Sequence, residues 1–402
     1  MRPDPFTMLC TAGLFAIFSS TISKSPVLPL FAAHLGSDPA GVGMIAAVSA
    51  FTGIIASIPA GMLSDRWGRR RVLLIGAAVF STAPFLYLFV RELWQLALVR
   101  FYHGFATALF IPVAMALVSD LFYRERGERL GWFSTATLLG RFMAPIAGGS
   151  IIGALVFNPG ISYKAVYLVC GAAGVVVLLL ALRIPDPDAG RKSGQGWKET
   201  LQALRSVVSS RNILITSGAE AAILFAYGTF ETFLPLYAIQ AGLSAYEVGL
   251  FLSAQVITLA LTKPAMGRFS DKHGRKPQIV TGALIGSLCI GSLSLLRSFV
   301  PLLLLSVLFG LSLSIVTSAT SAFIADLSRR ETHGSAMGVL GSIMDIGHTT
   351  GPLVSGIVAV RFGLASSFTG AALVLAAATL VFWAGVTDIG HKNSGHLSTG
   401  SG

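Results

Sequence analysis

The chain has 402 residues, 53% of them hydrophobic and only 12% charged, with a mean hydropathy of +0.74. A water-soluble domain of that make-up would have to display large apolar patches, so the balance points to an integral membrane protein. A net charge of +11 raises nucleic acid as a partner, but most of the basic residues cluster in the loops on one side of the apolar runs, which argues against it.

Spanning a hydrocarbon core as a helix takes about 20 mostly apolar residues. Such runs recur, in chain order, at 8–33, 41–63, 72–90, 95–122, 131–157, 164–183, 212–240, 245–268, 277–296, 301–326, 334–361 and 364–387. None shows the short alternating pattern of barrel strands, so the fold class is an all-α membrane protein with twelve spans. The first run is too long for a secretory signal and lacks a small-residue cleavage site. Cys10, Cys170 and Cys289 fall inside spans 1, 6 and 9, where they read as packing residues and imply neither a disulfide framework nor a metal site. Most Lys and Arg flank the loops after even-numbered spans, while the opposite ends hold Arg91, Lys164, Arg297 and Arg361. That asymmetry places both termini in the cytoplasm.

The loop between spans 2 and 3, "GMLSDRWGRRRVLL" at 61–74, returns as "GRFSDKHGRKPQIV" at 267–280. The same offset carries Leu28-Pro29-Leu30 onto Leu234-Pro235-Leu236, Gly104 onto Gly310 and Asp120 onto Asp326. One residue further on, Gly140 maps onto Gly347, Pro145 onto Pro352 and Gly149 onto Gly356. The repeat predicts two pseudo-symmetric six-helix bundles, residues 1–183 and 212–387, with a substrate site between them. A polar linker at 184–211 joins them and carries a short amphipathic stretch, "WKETLQALRSVV", suited to a membrane surface; 388–402 reads as a disordered cytoplasmic tail.

These residues resemble the major facilitator superfamily over nearly the whole chain. Its signature loop matches Gly61, Leu63, Asp65, Arg66, Gly68, Arg69 and Arg70, with a looser second copy at Gly267, Asp271, Lys272, Gly274 and Arg275. The resemblance implies that Asp65 docks against the start of helix 11 and that Arg69 pairs with Asp120, with Asp271, Arg275 and Asp326 as second-half counterparts, together latching the cytoplasmic end. Arg66 and Arg71 read as topology anchors at lipid headgroups. Span 5 carries "GRFMAPIAGG", similar to an element of proton-exchanging exporters, at Gly140, Arg141, Pro145, Gly148 and Gly149, with Ala144 in place of a glycine. Small residues there let helices 5 and 8 pack closely.

Ionisable residues inside spans are functional candidates: Lys24, Arg100, His103, Arg141, Glu220, Glu231, Lys263, Asp345 and His348. The superfamily architecture puts helices 1, 4, 7 and 10 around the cavity, so Lys24, Arg100, His103 and Glu231 are expected to line it, with Tyr227 and Phe230 and the further aromatics Phe105, Phe225 and Phe233. Glu231 reads either as a proton carrier or as an ion-pair partner of Lys24. Arg100 belongs to an element the family links to proton transfer, or binds an anionic group; His103 titrates or merely packs. Asp345 is a second proton carrier or, preferably, a partner for Lys263 or Arg141. The Ser/Thr-rich span 10, "LSLSIVTSATSAF", binds substrate or bonds back to its own helix.

No Walker sequence, HExxH or CxxC pair is present, so neither enzyme chemistry nor nucleotide-driven pumping has a motif, and no cofactor is expected. The leading expectation is a monomeric, proton-coupled exporter of small amphiphilic molecules in a bacterial plasma membrane. A carrier of an organic anion or metabolite is the alternative.

Overall fold

The apolar runs fold as helices whose starts are set by local chemistry. α1 (Pro5–His34) begins behind Asp4, which accepts from the Thr7 amide, and splits into Pro5–Ile22 and Val27–His34 where Pro26 has no amide hydrogen to continue the ladder. α2 (Pro39–Trp67) is capped by Asp38, which accepts from the Gly41 amide at 2.7 Å. α3 (Arg69–Leu86), α4 (Leu93–Leu121) and α5 (Arg126–Ala154) follow, then α6 (Pro159–Arg183) behind an Asn158 cap with proline in its first turn. α7 (Arg211–Gln240) opens the second half. α8 (Ala245–His273) starts on a capping box in which Ser244 and Glu247 satisfy each other's amides. α9 (Arg275–Ser292), α10 (Phe299–Leu327), α11 (His333–Phe362) and α12 (Leu364–Gly385) complete the fold.

The computed structural model describes residues 4–185, 210–328 and 333–386, with the side chains of 57, 58, 61, 62, 65, 123 and 333–339 outside that description. The expected amphipathic stretch, the tail, and the side-chain roles of Gly61 and Asp65 therefore lie outside the described residues. Among them, twelve helical spans are long and apolar enough to cross a membrane. Gly68 and Gly274, at φ of +91° and +92°, turn the chain between α2 and α3 and between α8 and α9, in a region that disfavours any side chain.

α1 to α6 pack into one bundle around Phe80, Phe110 and Phe133, and α7 to α12 into another around Phe230, Phe233, Phe251 and Phe309. Large apolar side chains such as Leu261, Leu288 and Leu373 remain exposed, as suits a surface facing lipid. The bundles meet along two seams, α2 with α11 and α5 with α8.

Both seams are tight at one end only. A Cβ on Gly149 would run into the Ala245 carbonyl oxygen, and one on Gly249 would lie 2.5 Å from that of Pro145, so α5 and α8 touch backbone to backbone. Gly356 meets Pro39 and Ala40 across the other seam, and Gly43 meets Pro352. Following the same stripes from Gly149 to Gly131 and from Gly249 to Gly267 covers about five helical turns, roughly 27 Å. There, both glycines have nothing within 4 Å. The bundles thus close at the end away from the chain termini and part at the end that carries them.

Candidate functional site

Where the bundles diverge lies a cavity of about 310 Å³, walled by α1, α4, α5, α7, α8 and α11. The break in α1 presents Lys24 to it, and Glu231 of α7 faces Lys24 from the other bundle. Lys24 Nζ lies 2.8 Å from Glu231 Oε2. His348 Nε2, from α11, lies 3.2 Å from the same oxygen and 3.4 Å from Lys24 Nζ. A single ring nitrogen in reach of both donates to Glu231 when protonated or accepts from Lys24 when bare, and cannot do both. Tyr227 stacks on the His348 ring at 5.3 Å and 18°. Pro352, one turn beyond His348, belongs to the closed seam, so this cluster ties the two bundles together just beneath it.

Arg141 of α5 and Asp345 of α11 also line the cavity and are exposed to it. Among the described residues neither side chain makes an ion pair or hydrogen bond. The preferred pairing of Asp345 with Lys263 or Arg141 is therefore corrected: Arg141 belongs to the other bundle, and Lys263 stands exposed on α8, which does not pack against α11. Gln255 of α8, Ser25 of α1 and Thr107 of α4 line the cavity too. Sequence reasoning missed all three, although a glutamine inside a span was a signal.

Several expected lining residues lie elsewhere. Arg100 and His103 are buried inside the first bundle: Arg100 donates to Ser49 Oγ at 2.6 Å and Tyr87 OH at 3.4 Å, and His103 Nδ1 lies 3.3 Å from the same hydroxyl. They share a helix with Thr107 but sit nearer the closed end, where α2 and Tyr87 cover them. Phe230 is corrected to core; it packs on Phe309 at 5.1 Å, because a residue adjacent to Glu231 points about 100° away around the helix. Phe225 and Phe233 are likewise core, and Phe105 packs on Phe101. Glu220 is fully buried and accepts from Thr320 of α10. Several hydroxyls of α10 bond back to their own helix, as Ser318 does to Ser314 O, or to α9, as Ser312 does to Gly282 O.

In the loop repeats, Arg69 Nε lies 2.5 Å from Asp120 and 3.3 Å from Ser64 through Nη1. Arg275 mirrors it, 3.0 Å from Asp326, 2.5 Å from Asp271 and 3.1 Å from Ser270. Each constellation lies within its own bundle and is present with the terminal end open. Pairing of Arg69 with Asp120 therefore braces α3 against α4 and does not itself bridge the halves. Arg66 is exposed. The α5 element faces two ways: Gly140 abuts Leu14 of α1, Gly148 lies beside Val27, Gly149 meets α8, and the buried Ala144 leaves that stripe narrow.

The model of the Major Facilitator Superfamily matches residues 9–257 and 240–399. The chain belongs to the major facilitator superfamily. Within this superfamily of transporters it is 26% identical to the multidrug resistance protein MdtG of Klebsiella pneumoniae, over 89% of this chain and 87% of the relative. It is 24% identical to multidrug resistance protein 1 of Bacillus subtilis, over 88% and 89%. A solved bacterial homologue of the human lysosomal transporter Spinster, inward-facing and unoccupied, superposes with a TM-score of 0.75 at 17% identity over 94% of this chain and 93% of that one. The superfamily fold thus accounts for the two bundles and the cavity between them.

Proposed function

We propose that this superfamily member is a proton-coupled exporter of small amphiphilic molecules working by alternating access. The observation that carries the reading is the Lys24–Glu231–His348 cluster, which joins the bundles beneath the closed end of a cavity open at the other. A proton arriving on Glu231 removes the charge that attracts Lys24, and the seam above loses its support. The bundles then rock, opening the closed end; release of the proton restores the pair. Multidrug relatives support export, and the distribution of Lys and Arg supports a terminal face on the cytoplasmic side of a bacterial plasma membrane. In this orientation the present state faces inward. Asp345, His348 and Arg141 take part at the cavity, and the protein works as a monomer.

A second reading, transport of an organic anion, is favoured by the unmatched Arg141. Reconstitution in liposomes under an imposed pH gradient separates the two. Proton flux triggered by lipophilic cations supports export of amphiphiles; flux triggered only by organic anions, and lost in Arg141→Gln, supports the second.

A further inference from the structure

The charges of the cavity are matched unevenly. Lys24 and Glu231 neutralise one another at 2.8 Å, so what the walls offer an occupant is the remainder: one guanidinium, Arg141, and one carboxylate, Asp345, both exposed to the cavity and without a partner among the described residues. Both are hydrated while the cavity is open, and an occupant that displaces this water without matching them leaves a charge uncompensated at a cost. A cation satisfies Asp345 and leaves Arg141 alone; an anion does the reverse. Gln255 and Ser25 also border the cavity, but Gln255 Nε2 and Ser25 Oγ are covered from it, so Arg141 and Asp345 carry the recognition. The stacked Tyr227 and His348 rings supply an apolar wall. The cavity, about 310 Å³ and open at the terminal end, admits a small aromatic molecule.

We propose that the cavity selects small zwitterionic amphiphiles, with the carboxylate on Arg141 and the ammonium on Asp345. This rests on the transport reading above and deepens it by naming the charge class of the cargo. Arg141 belongs to the first bundle and Asp345 to the second, four residues from the seam residue Pro145 and three from His348 of the cluster beneath the seam, respectively. A zwitterion held at both ends therefore draws the bundles together, whereas a singly charged ligand engages only one of them. Selection then acts on closure as well as on binding.

The test is calorimetric titration of the full chain in lipid nanodiscs, without any gradient, with three ligands that share an indole: tryptophan, tryptamine and indole-3-propionate. Tryptophan is expected to bind at least about tenfold more tightly than either singly charged analogue, as one charge-assisted hydrogen bond supplies. Asp345→Asn should erase the advantage over indole-3-propionate, and Arg141→Gln the advantage over tryptamine. Tryptophan binding no tighter than the better analogue overturns the proposal, as does equal weakening of all three ligands by either variant. Because no proton gradient is present, a failed coupling mechanism leaves these affinities unchanged, and the two readings fail separately.

Discussion

If the protein works by alternating access as proposed, placing a methyl group on Gly149 should shift it between its two states. In the present arrangement the Gly149 backbone lies against the Ala245 carbonyl, and a Cβ there has no room. Relief requires α5 and α8 to separate, and overpacking of this kind costs about 1–3 kcal/mol. On the proposed mechanism the cost falls only on the state closed at this end, because opening that end requires these helices to part. At 1.4 kcal/mol per decade, Gly149→Ala should move the ratio of the two states by about 5- to 150-fold. Spin labels at Trp132 and Phe269, 59% and 47% exposed on the parted halves of α5 and α8, report the change by pulsed electron–electron distance measurement, after replacement of Cys10, Cys170 and Cys289. The short-distance population should rise in Gly149→Ala. Gly131→Ala, on the same stripe where nothing lies within 4 Å, should not raise it. Identical distance distributions in Gly149→Ala and the parent would refute the reasoning.

Ser244→Ala removes the hydroxyl that accepts the Glu247 amide at 3.3 Å and should cost about 1 kcal/mol, read as a thermal midpoint lowered by a few degrees; no change would mean the capping box adds nothing. Tyr237→Phe deletes a hydroxyl that donates to the Ser294 or Leu296 carbonyl at 3.1 and 3.0 Å, and about 1–2 kcal/mol of stability should go with it in chemical unfolding. Asp65→Asn should slow turnover more than it weakens substrate binding; equal transport rates would reduce its loop to a topology signal. Asp326→Asn should change stability by less than about 1 kcal/mol, since the pair with Arg275 is half-exposed and Asp271 remains beside it.

The spans and the internal repeat were readable because hydropathy and glycine spacing are properties of the chain taken one segment at a time. The break at Pro26 was not read from the first span, although a proline acts locally there. Depth and facing were not readable. Arg100 and Thr107 lie on nearly the same stripe of α4, yet only Thr107 reaches the cavity, because Ser49 and Tyr87 from other helices cover Arg100. Phe230 and Glu231 are neighbours in sequence and point into different environments, one into the core against Phe309 and one toward Lys24. The pairing of Lys24 with Glu231 was legible as one of two alternatives from their matching level in α1 and α7. The contribution of His348 was not, since its reach depends on how α11 is rotated. Asp345 lost Arg141 as a partner because the two belong to different bundles, and Lys263 because α8 and α11 do not pack on one another within the second bundle; neither relation can be read from one segment at a time.

Substrate exchange compared with gradient-driven transport tests the central claim most directly. In proteoliposomes, Glu231→Gln should retain exchange of labelled for unlabelled substrate at equal pH on both sides, while accumulation driven by an imposed pH gradient falls to background. Gradient-driven accumulation by Glu231→Gln at the parent rate would contradict proton coupling through the cluster that joins the two bundles.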